Sequence, residues 1–161
     1  MRTDSIWYQL FLKFPGIFFE LIGQPPAAAD FYRFESVEVK QLSFRLDGVF
    51  LPATDAPELP LFFLEVQFQR DPNFCARFFS EIFLYLRDCN LTSDWQAVAI
   101  YPTRSLEACE PRRYREFFSS GRLRRFYLEE LLEEEVSTSV GLGILRLVVE
   151  PESQAGALAR Q

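Results

Sequence analysis

Histidine is absent from this chain of 161 residues. Its absence excludes histidine-dependent catalytic triads, zinc sites with histidine ligands and nucleases that use a histidine base. Any acid–base chemistry would therefore depend on carboxylates, bound water, lysine or arginine. Lysine is itself rare, because the chain contains only Lys13 and Lys40.

Cysteine is also scarce. The chain has three cysteines, Cys75, Cys89 and Cys109, which are widely spaced and form no CxxC pair. This pattern indicates neither a disulfide framework nor a structural zinc site. We therefore expect a protein of the reducing cytoplasm.

Long apolar segments are missing as well. No stretch approaches the run of about 18 uninterrupted apolar residues that a membrane-spanning helix requires. The opening MRTDSIWYQL lacks the basic region and long apolar run of a secretory signal. We therefore expect a soluble protein without membrane association.

Positive charge is in deficit, and the net charge is -6. This balance argues against a generic nucleic-acid binder, because such proteins neutralise phosphates with clustered lysine and arginine. The basic residues are nevertheless concentrated between Tyr101 and Tyr127, and acidic residues dominate the segment that follows. Two interpretations stay open, a solvated surface and a phosphate-contacting patch. The patch would consist of Arg112, Arg113, Arg115, Arg122, Arg124 and Arg125.

The length is typical of one domain with a substantial core, which we assign to residues 1–150, and residues 151–161 are expected to form a flexible tail. The spacing of apolar residues predicts an α/β protein with a central sheet flanked by helices. The first predicted helix spans 4–22, where Asp4 or Ser5 caps it and Pro15-Gly16 interrupts it. Strands are predicted at 37–52, 61–69, 95–101 and 124–128. Further helices are predicted after the cap Asp71, at 111–118 and at 139–150.

Polar residues lie inside the segment LFFLEVQFQ, which otherwise resembles a buried strand. A desolvated carboxylate costs several kcal/mol unless it is paired, protonated or bound to a cation. Asp47, in the preceding segment FRLDGVFLP, raises the same question. Because successive side chains of a strand point to opposite faces, Glu65, Gln67 and Gln69 lie on one face and make it polar.

The separation of 18 residues between Asp47 and Glu65 suits two adjacent strands joined by a turn, so their carboxylates would meet at one edge of the sheet. Oxygen ligands of this type select Mg or Mn rather than zinc. A divalent metal would thus neutralise the two charges. Such a site suits phosphodiester hydrolysis, because the ion polarises the phosphate and lowers the pKa of a bound water.

The same residues carry a family resemblance. Asp47, then Glu65-Val66-Gln67 and an aromatic-rich helix, resemble the D…(D/E)xK core of the PD-(D/E)XK phosphodiesterase superfamily. Within it, the chain is similar to the recombination-promoting nuclease and transposase-like family. The segments that carry this similarity span roughly Met1 to Leu131 and are TDSIWYQLF, FFELIGQPP, SVEVKQLSFRLDGVF, FFLEVQFQ and DWQAVAIYP.

The resemblance implies a restriction-endonuclease-like core of mixed β-sheet, a Mg-dependent DNA endonuclease activity and a link to recombination or mobile elements. Carried over by position, Asp47 and Glu65 would hold the metal, with the Val66 carbonyl as a further ligand. Gln67 stands where the wider superfamily has lysine. Glutamine can orient a water or contact phosphate, but it has no positive charge to stabilise the transition state.

Two outer positions extend this predicted site. Glu20, in FFELIG, would match the acidic residue that some members place on their first helix, acting through water. Its alternative is an ordinary helix residue that points outward. Gln69 would extend the polar face towards the substrate.

Each central assignment has a structural alternative. Asp47 would mark a bend with Gly48, and Arg45 would neutralise Glu65 in an ion pair. Gln67 would face solvent. Lys40 falls on the strand face opposite Asp47, so we interpret it as a surface residue rather than a displaced catalytic cation.

The function predicted from the sequence is therefore a metal-dependent DNA endonuclease. The alternative is a catalytically inactive nuclease-fold module that binds DNA or another protein. Cutting both strands with one active site per chain would favour a homodimer.

Overall fold

The computed structural model of the protein describes residues 2–39, 44–53, 56, 58–131 and 133–149. Three short 3-10 helices lie at Pro26–Phe31, Arg104–Leu106 and Leu128–Glu130. The main elements within these residues are α1 (Arg2–Lys13), α2 (Gly16–Leu21), β1 (Tyr32–Val39), β2 (Phe44–Pro52), β3 (Leu61–Val66), α3 (Phe74–Asp88), β4 (Trp95–Tyr101), α4 (Arg115–Ser119), β5 (Leu123–Tyr127), α5 (Glu133–Thr138) and α6 (Val140–Val149).

The five strands form one mixed sheet in the order β1-β2-β3-β4-β5. The pairs β1–β2 and β2–β3 are antiparallel, and the pairs β3–β4 and β4–β5 are parallel. Because parallel neighbours need a crossover, the chain leaves β3, forms α3 and returns to start β4. This mixed sheet between helices confirms the predicted α/β fold.

Both faces of the sheet are covered by apolar side chains, many of them aromatic. On one face, Phe18 of α2 stacks on Phe50 of β2, with ring centroids 4.3 Å apart. On the other face, Phe79 of α3 stacks on Phe117 of α4, also at 4.3 Å. All six residues of β3 are buried, which explains why LFFL is apolar on both sides.

Several element boundaries differ from the sequence prediction. α1 begins at Arg2, so neither Asp4 nor Ser5 caps it, and β1 begins at Tyr32, five residues before the predicted start. α3 begins at Phe74, and Asp71 instead accepts a hydrogen bond from the Asn73 amide at 2.9 Å. The interruption at Pro15-Gly16 and the helix predicted at 139–150 are both confirmed, whereas the predicted tail 151–161 lies outside the described residues.

The cysteine prediction is wrong in one respect. Cys75 at the start of α3 and Cys109 in the loop after β4 form a disulfide, with their Cα atoms 5.5 Å apart, and Cys89 is free. The two partners are 34 residues apart, so only the tertiary fold brings them together. Among the helices that the structure describes, none is both long and apolar enough to cross a membrane.

Candidate active site

The strands β2 and β3 separate at the position where the predicted carboxylates lie. Their ladder ends at the pair Gly48–Leu64, so Asp47 and Glu65 are the next residues along each strand. The Asp47 amide donates to Glu65 Oε2 at 3.4 Å, and the Val66 amide donates to Asp47 Oδ2 at 3.2 Å. The two carboxylates therefore accept backbone N–H groups that the ladder no longer pairs. Asp47 and Glu65 thus lie next to each other, as the spacing predicted, but at the end of the ladder between two inner strands and not at an edge of the sheet.

A β-bulge directs the Asp47 side chain. The register between β1 and β2 shifts between Glu35–Val49 and Val37–Leu46, which leaves one extra residue on β2. Gly48 lies in this bulge, and a Cβ atom built there would be only 2.1 Å from a ring carbon of Phe34. Glycine is therefore required by the close approach of this ring.

Glu65 faces α3, where Arg77 neutralises it. Arg77 Nη1 lies 2.8 Å from Glu65 Oε1 and 3.5 Å from Glu81 Oε1, and Arg77 Nε lies 3.8 Å from Asp71 Oδ2. Arg77 is therefore an ion-pair partner of Glu65 that the sequence did not suggest, and the predicted partner Arg45 has a side chain outside the described residues. One guanidinium thus contacts three carboxylates.

Glu81 is a site residue that the sequence interpretation missed. It is 1% exposed, and within the described structure its Oε2 atom has no hydrogen-bond partner. A signal was present, because Glu81 lies three residues after Phe78 and next to Ile82, on the apolar face of α3. A charge on such a face, four residues after Arg77, indicates a buried ion pair.

Burial governs the electrostatics of these carboxylates. It raises the pKa of Glu65 to about 8, and the adjacent Asp47 carboxylate adds to this rise while Arg77 opposes it. Burial also raises the pKa of Glu81 to about 7, against the effect of Arg77. Near neutral pH, both groups therefore hold a proton more tightly than they would in water.

An aromatic wall lies beside Asp47. The carboxylate borders a small pocket, to which α1 contributes Trp7, Tyr8 and Phe11. Phe68 closes the pocket further along the chain. Asp47 therefore lies between an aromatic surface and the end of the β2–β3 ladder.

The polar residues beyond Glu65 are placed less centrally. Gln67 is half-buried just past the end of β3, and its Nε2 atom donates to the Gln69 carbonyl at 2.6 Å. Gln69 is exposed. The Val66 amide contacts Asp47, whereas the predicted role of its carbonyl as a metal ligand stays a prediction. Lys40 lies outside the described residues.

Glu20 has a different environment from the one predicted. Ser139 Oγ donates to Glu20 Oε2 at 2.8 Å and accepts the Leu142 amide at 3.2 Å, which caps α6. A Cβ atom at Gly141 would lie 2.3 Å from Glu20 Oε2. These contacts join α2 to α6, and no contact among the described residues joins Glu20 to Asp47 or Glu65.

The basic segment divides into two groups. Arg122 contacts Asp94 and the Trp95 carbonyl, Arg124 donates to the Ile22 carbonyl at 2.8 Å, and Arg125 lies 2.5 Å from Glu107. These three arginines stabilise the fold. The other three are exposed around the start of α4 and are Arg112, Arg113 and Arg115.

The disulfide limits how far the exposed arginines can lie from α3. The Cα atoms of Cys109 and Cys75 are 5.5 Å apart, and Cys75 precedes Arg77 by two residues. Because Arg112 follows Cys109 by three residues, the chain holds it within about 11 Å of that cysteine. This turn is therefore held close to the first turn of α3.

The donor set suits a hard divalent cation. Among the residues that the structure describes, no group of three or more histidine, cysteine, aspartate or glutamate side chains is arranged to hold a metal. A Mg ion needs only one or two protein carboxylates and takes water or phosphate oxygens as its other ligands. The adjacent Asp47 and Glu65 carboxylates, with the unpartnered Glu81 oxygen behind them, fit this requirement.

Fold and site together define a mixed α/β protein with a carboxylate pair at the point where two antiparallel strands separate. The chain belongs to the family described as Protein of unknown function (DUF2887), whose model matches residues 3–161. Neither the curated proteins nor the solved structures contain a significant match.

Proposed function

We propose that this protein is a metal-dependent DNA endonuclease associated with recombination or mobile elements. The observation that carries the proposal is the adjacent Asp47 and Glu65 carboxylates at the strand separation. The arrangement supports the resemblance to the PD-(D/E)XK core, because the end of the β2–β3 ladder, followed by α3, presents both carboxylates to one region. Asp47 and Glu65 would hold the metal.

The reaction is hydrolysis of a phosphodiester. A water oxygen bonds to phosphorus, one P–O ester bond breaks, and the proton that water loses ends on the leaving oxygen. A bound Mg or Mn would polarise the phosphate and lower the pKa of the attacking water. Gln67 orients that water or contacts a phosphate oxygen, and the wall formed by Trp7 and Phe11 borders the Asp47 carboxylate.

The exposed arginines supply a surface for the DNA backbone. Arg112, Arg113 and Arg115 lie on the turn and helix start that the Cys75–Cys109 pair holds near α3. Phosphate contacts of this kind fix the position of DNA without reading its sequence. Arg122, Arg124 and Arg125 are left out of this surface because they have internal partners.

A second candidate function is a catalytically inactive module that binds DNA or a protein partner. The ion pair between Glu65 and Arg77 favours it, since a guanidinium already neutralises one proposed metal ligand. The glutamine at position 67 favours it too, because no lysine is present there.

A nicking assay on supercoiled plasmid separates the two functions. With Mg or Mn, we expect the wild type to nick the plasmid and Asp47→Ala and Glu65→Ala to lose about 100-fold or more of that rate. Asp30→Ala, at an exposed position in the 3-10 helix Pro26–Phe31, is the matched control and should retain full activity. Equal rates in all four proteins would exclude the catalytic assignment.

Thermal unfolding supplies a readout that does not depend on catalysis. A ligand that binds only the folded state raises apparent stability. Millimolar Mg or Mn should therefore raise the Tm of the wild type and of Asp30→Ala. The same ions should leave the Tm of Glu65→Ala unchanged.

We also propose a cytoplasmic location, where the enzyme would meet DNA. The Cys75–Cys109 disulfide opposes this location, because such bonds are rare in reducing compartments. A homodimer would place one site on each DNA strand.

A further inference from the structure

Arg77 lies at the centre of a group of acidic side chains. It contacts Glu65 at 2.8 Å, Glu81 at 3.5 Å and Asp71 at 3.8 Å. It begins the second turn of α3, directly opposite the end of β3. Its guanidinium therefore places a positive charge in direct contact with a proposed metal ligand, Glu65.

These contacts are more than one structural ion pair requires. A buried Glu65 needs a single cation, and Arg77 supplies it. Glu81 is a second buried carboxylate with an unpartnered Oε2 atom, and its burial adds an electrostatic cost that neutralising Glu65 does not explain. Glu81 and Asp71 give the guanidinium two further carboxylate contacts besides Glu65.

Arg77 is also accessible. Its side chain is 31% exposed, whereas the side chains of Glu65 and Glu81 are 6% and 2% exposed. A guanidinium has five N–H donors in a planar fork. It can therefore keep its contact with Glu81 while the remaining donors bind an oxygen that enters from solvent.

We propose that Arg77 is a catalytic residue that contacts the scissile phosphate and supplies the positive charge that Gln67 lacks, and that Glu81 positions it. This inference rests on the proposed endonuclease function. Glu65 would hold the metal when one is bound, and Arg77, which stays in contact with Glu81, would then have donors available for a phosphate oxygen. The negative charge that develops on the phosphate in the transition state then meets a fixed cation.

The test uses a charge-balanced pair of substitutions, because Arg77→Gln alone leaves two buried carboxylates unpaired and would destabilise the fold. Arg77→Gln with Glu81→Gln removes one charge of each sign. Arg77→Lys keeps the cation. Arg87→Gln, at the exposed far end of α3, is the matched control. Circular dichroism and thermal unfolding establish that each variant is folded.

Plasmid nicking by the folded variants gives the first readout. We expect the double variant to lose about 100-fold or more in kcat with a smaller change in KM, Arg77→Lys to stay within about 10-fold of the wild type, and Arg87→Gln to be unchanged. A folded double variant with wild-type kcat would show that Arg77 is only a structural partner of Glu65.

DNA binding gives the second readout, which does not require turnover. Binding of a short labelled duplex is measured by fluorescence anisotropy in Ca²⁺, which takes similar oxygen ligands. In the double variant, the salt dependence of the binding constant should be weaker by about one phosphate contact. In Arg77→Lys and Arg87→Gln, it should be unchanged. An unchanged slope in the double variant would overturn the phosphate contact. If DNA binding by the wild type has the steeper salt dependence but the wild type never nicks the plasmid, the endonuclease proposal fails while the contact between Arg77 and phosphate stands.

Discussion

Charge compensation at single residues decides the properties of this site. Glu65 accepts the Asp47 amide, Asp47 accepts the Val66 amide, and Arg77 neutralises Glu65 from α3. Glu81 shares the same guanidinium although it is buried. Glu65 and Glu81 therefore share one guanidinium, and burial couples their protonation to folding.

The first prediction concerns pH in the metal-free protein. Glu65 and Glu81 have folded-state pKa values of about 8 and about 7, above their unfolded value of 4.5, so the folded protein binds protons more tightly. This contribution to stability is fully present below pH 4.5 and is lost as the pH rises towards 8. In EDTA, the free energy of unfolding should fall by a few kcal/mol between pH 5 and about 8.5, as urea denaturation would measure.

The variant Glu81→Gln should flatten part of this pH dependence, because one of the two raised groups is removed. Glu116→Gln changes an exposed carboxylate and should follow the wild-type curve. A wild-type stability that rises steadily from pH 5 to 8.5 would contradict the assignment.

The sequence allowed part of this site to be predicted. Alternation in LFFLEVQFQ identified Glu65 as a charge inside a buried strand, and the spacing to Asp47 predicted their meeting. The cation could not be identified, because Arg77 reaches Glu65 only after α3 packs across the sheet. The strand pattern instead suggested Arg45, which lies in the same predicted strand segment as Asp47.

At the scale of elements, the β-bulge in β2 sets the geometry of the site. The extra residue at Asp47-Gly48 interrupts the pairing with β1, which resumes at Leu46, whereas the ladder with β3 ends at Gly48. The bend needs space, which the missing side chain at position 48 provides for Phe34. The bulge thus connects the packing of β1 to the direction of the Asp47 carboxylate.

The second prediction tests this connection. Gly48→Ala places a Cβ atom 2.1 Å from the Phe34 ring, so the ring must move and the protein should lose about 1–3 kcal/mol of stability. Gly143→Ala in α6 is the control, because its Cβ atom would have 3.7 Å to the nearest atom and alanine favours a helix. Chemical denaturation should show a loss for the first variant and no loss for the second.

A second substitution identifies the cause. Phe34→Leu removes the clashing ring atoms, so adding it to Gly48→Ala should cost less than the sum of the two single changes. Strict additivity would mean that the alanine acts through the backbone rather than through Phe34.

Element types were easier to predict than their limits. The periodic segments around 74–88 and 95–101 are the helix α3 and the strand β4, as expected. The sequence prediction placed the start of β1 too late. The segment GQPPAAAD suggested a connector, whereas Pro26–Phe31 forms a 3-10 helix and β1 follows it directly at Tyr32. The bulge itself leaves no pattern in the sequence beyond Asp-Gly, which also occurs in ordinary bends.

At the scale of the whole molecule, one covalent bond joins two regions that flank the site. The Cys75–Cys109 disulfide fixes the first turn of α3 to the loop that leads to α4. It closes a loop of 34 residues, which includes β4 and much of one core cluster. The bond therefore holds Arg77 and the exposed arginines of the α4 turn in one unit.

The third prediction concerns this bond. After denaturation without reductant, alkylation and mass spectrometry should detect one reactive thiol, Cys89, and three after reduction. Loop-closure entropy for 34 residues predicts that Cys75→Ser with Cys109→Ser loses about 3–4 kcal/mol. Cys89→Ser is the control and should cost less than about 1 kcal/mol.

The state of these thiols in the cell also bears on the compartment. Protein isolated with rapid alkylation from a reducing cytoplasm would carry three modified cysteines if the bond forms only after extraction. One modified cysteine under the same conditions would mean that the disulfide exists in the cell, contrary to the general expectation for cytoplasmic proteins.

The end of the β2–β3 ladder has a further consequence for measurement. The amides of Asp47 and Val66 are protected from solvent hydrogen exchange by carboxylate oxygens and not by another strand. Any event that turns these carboxylates elsewhere would release the two protons without unfolding the sheet. The exchange rates of two backbone amides would therefore report, residue by residue, when the acidic pair changes partners.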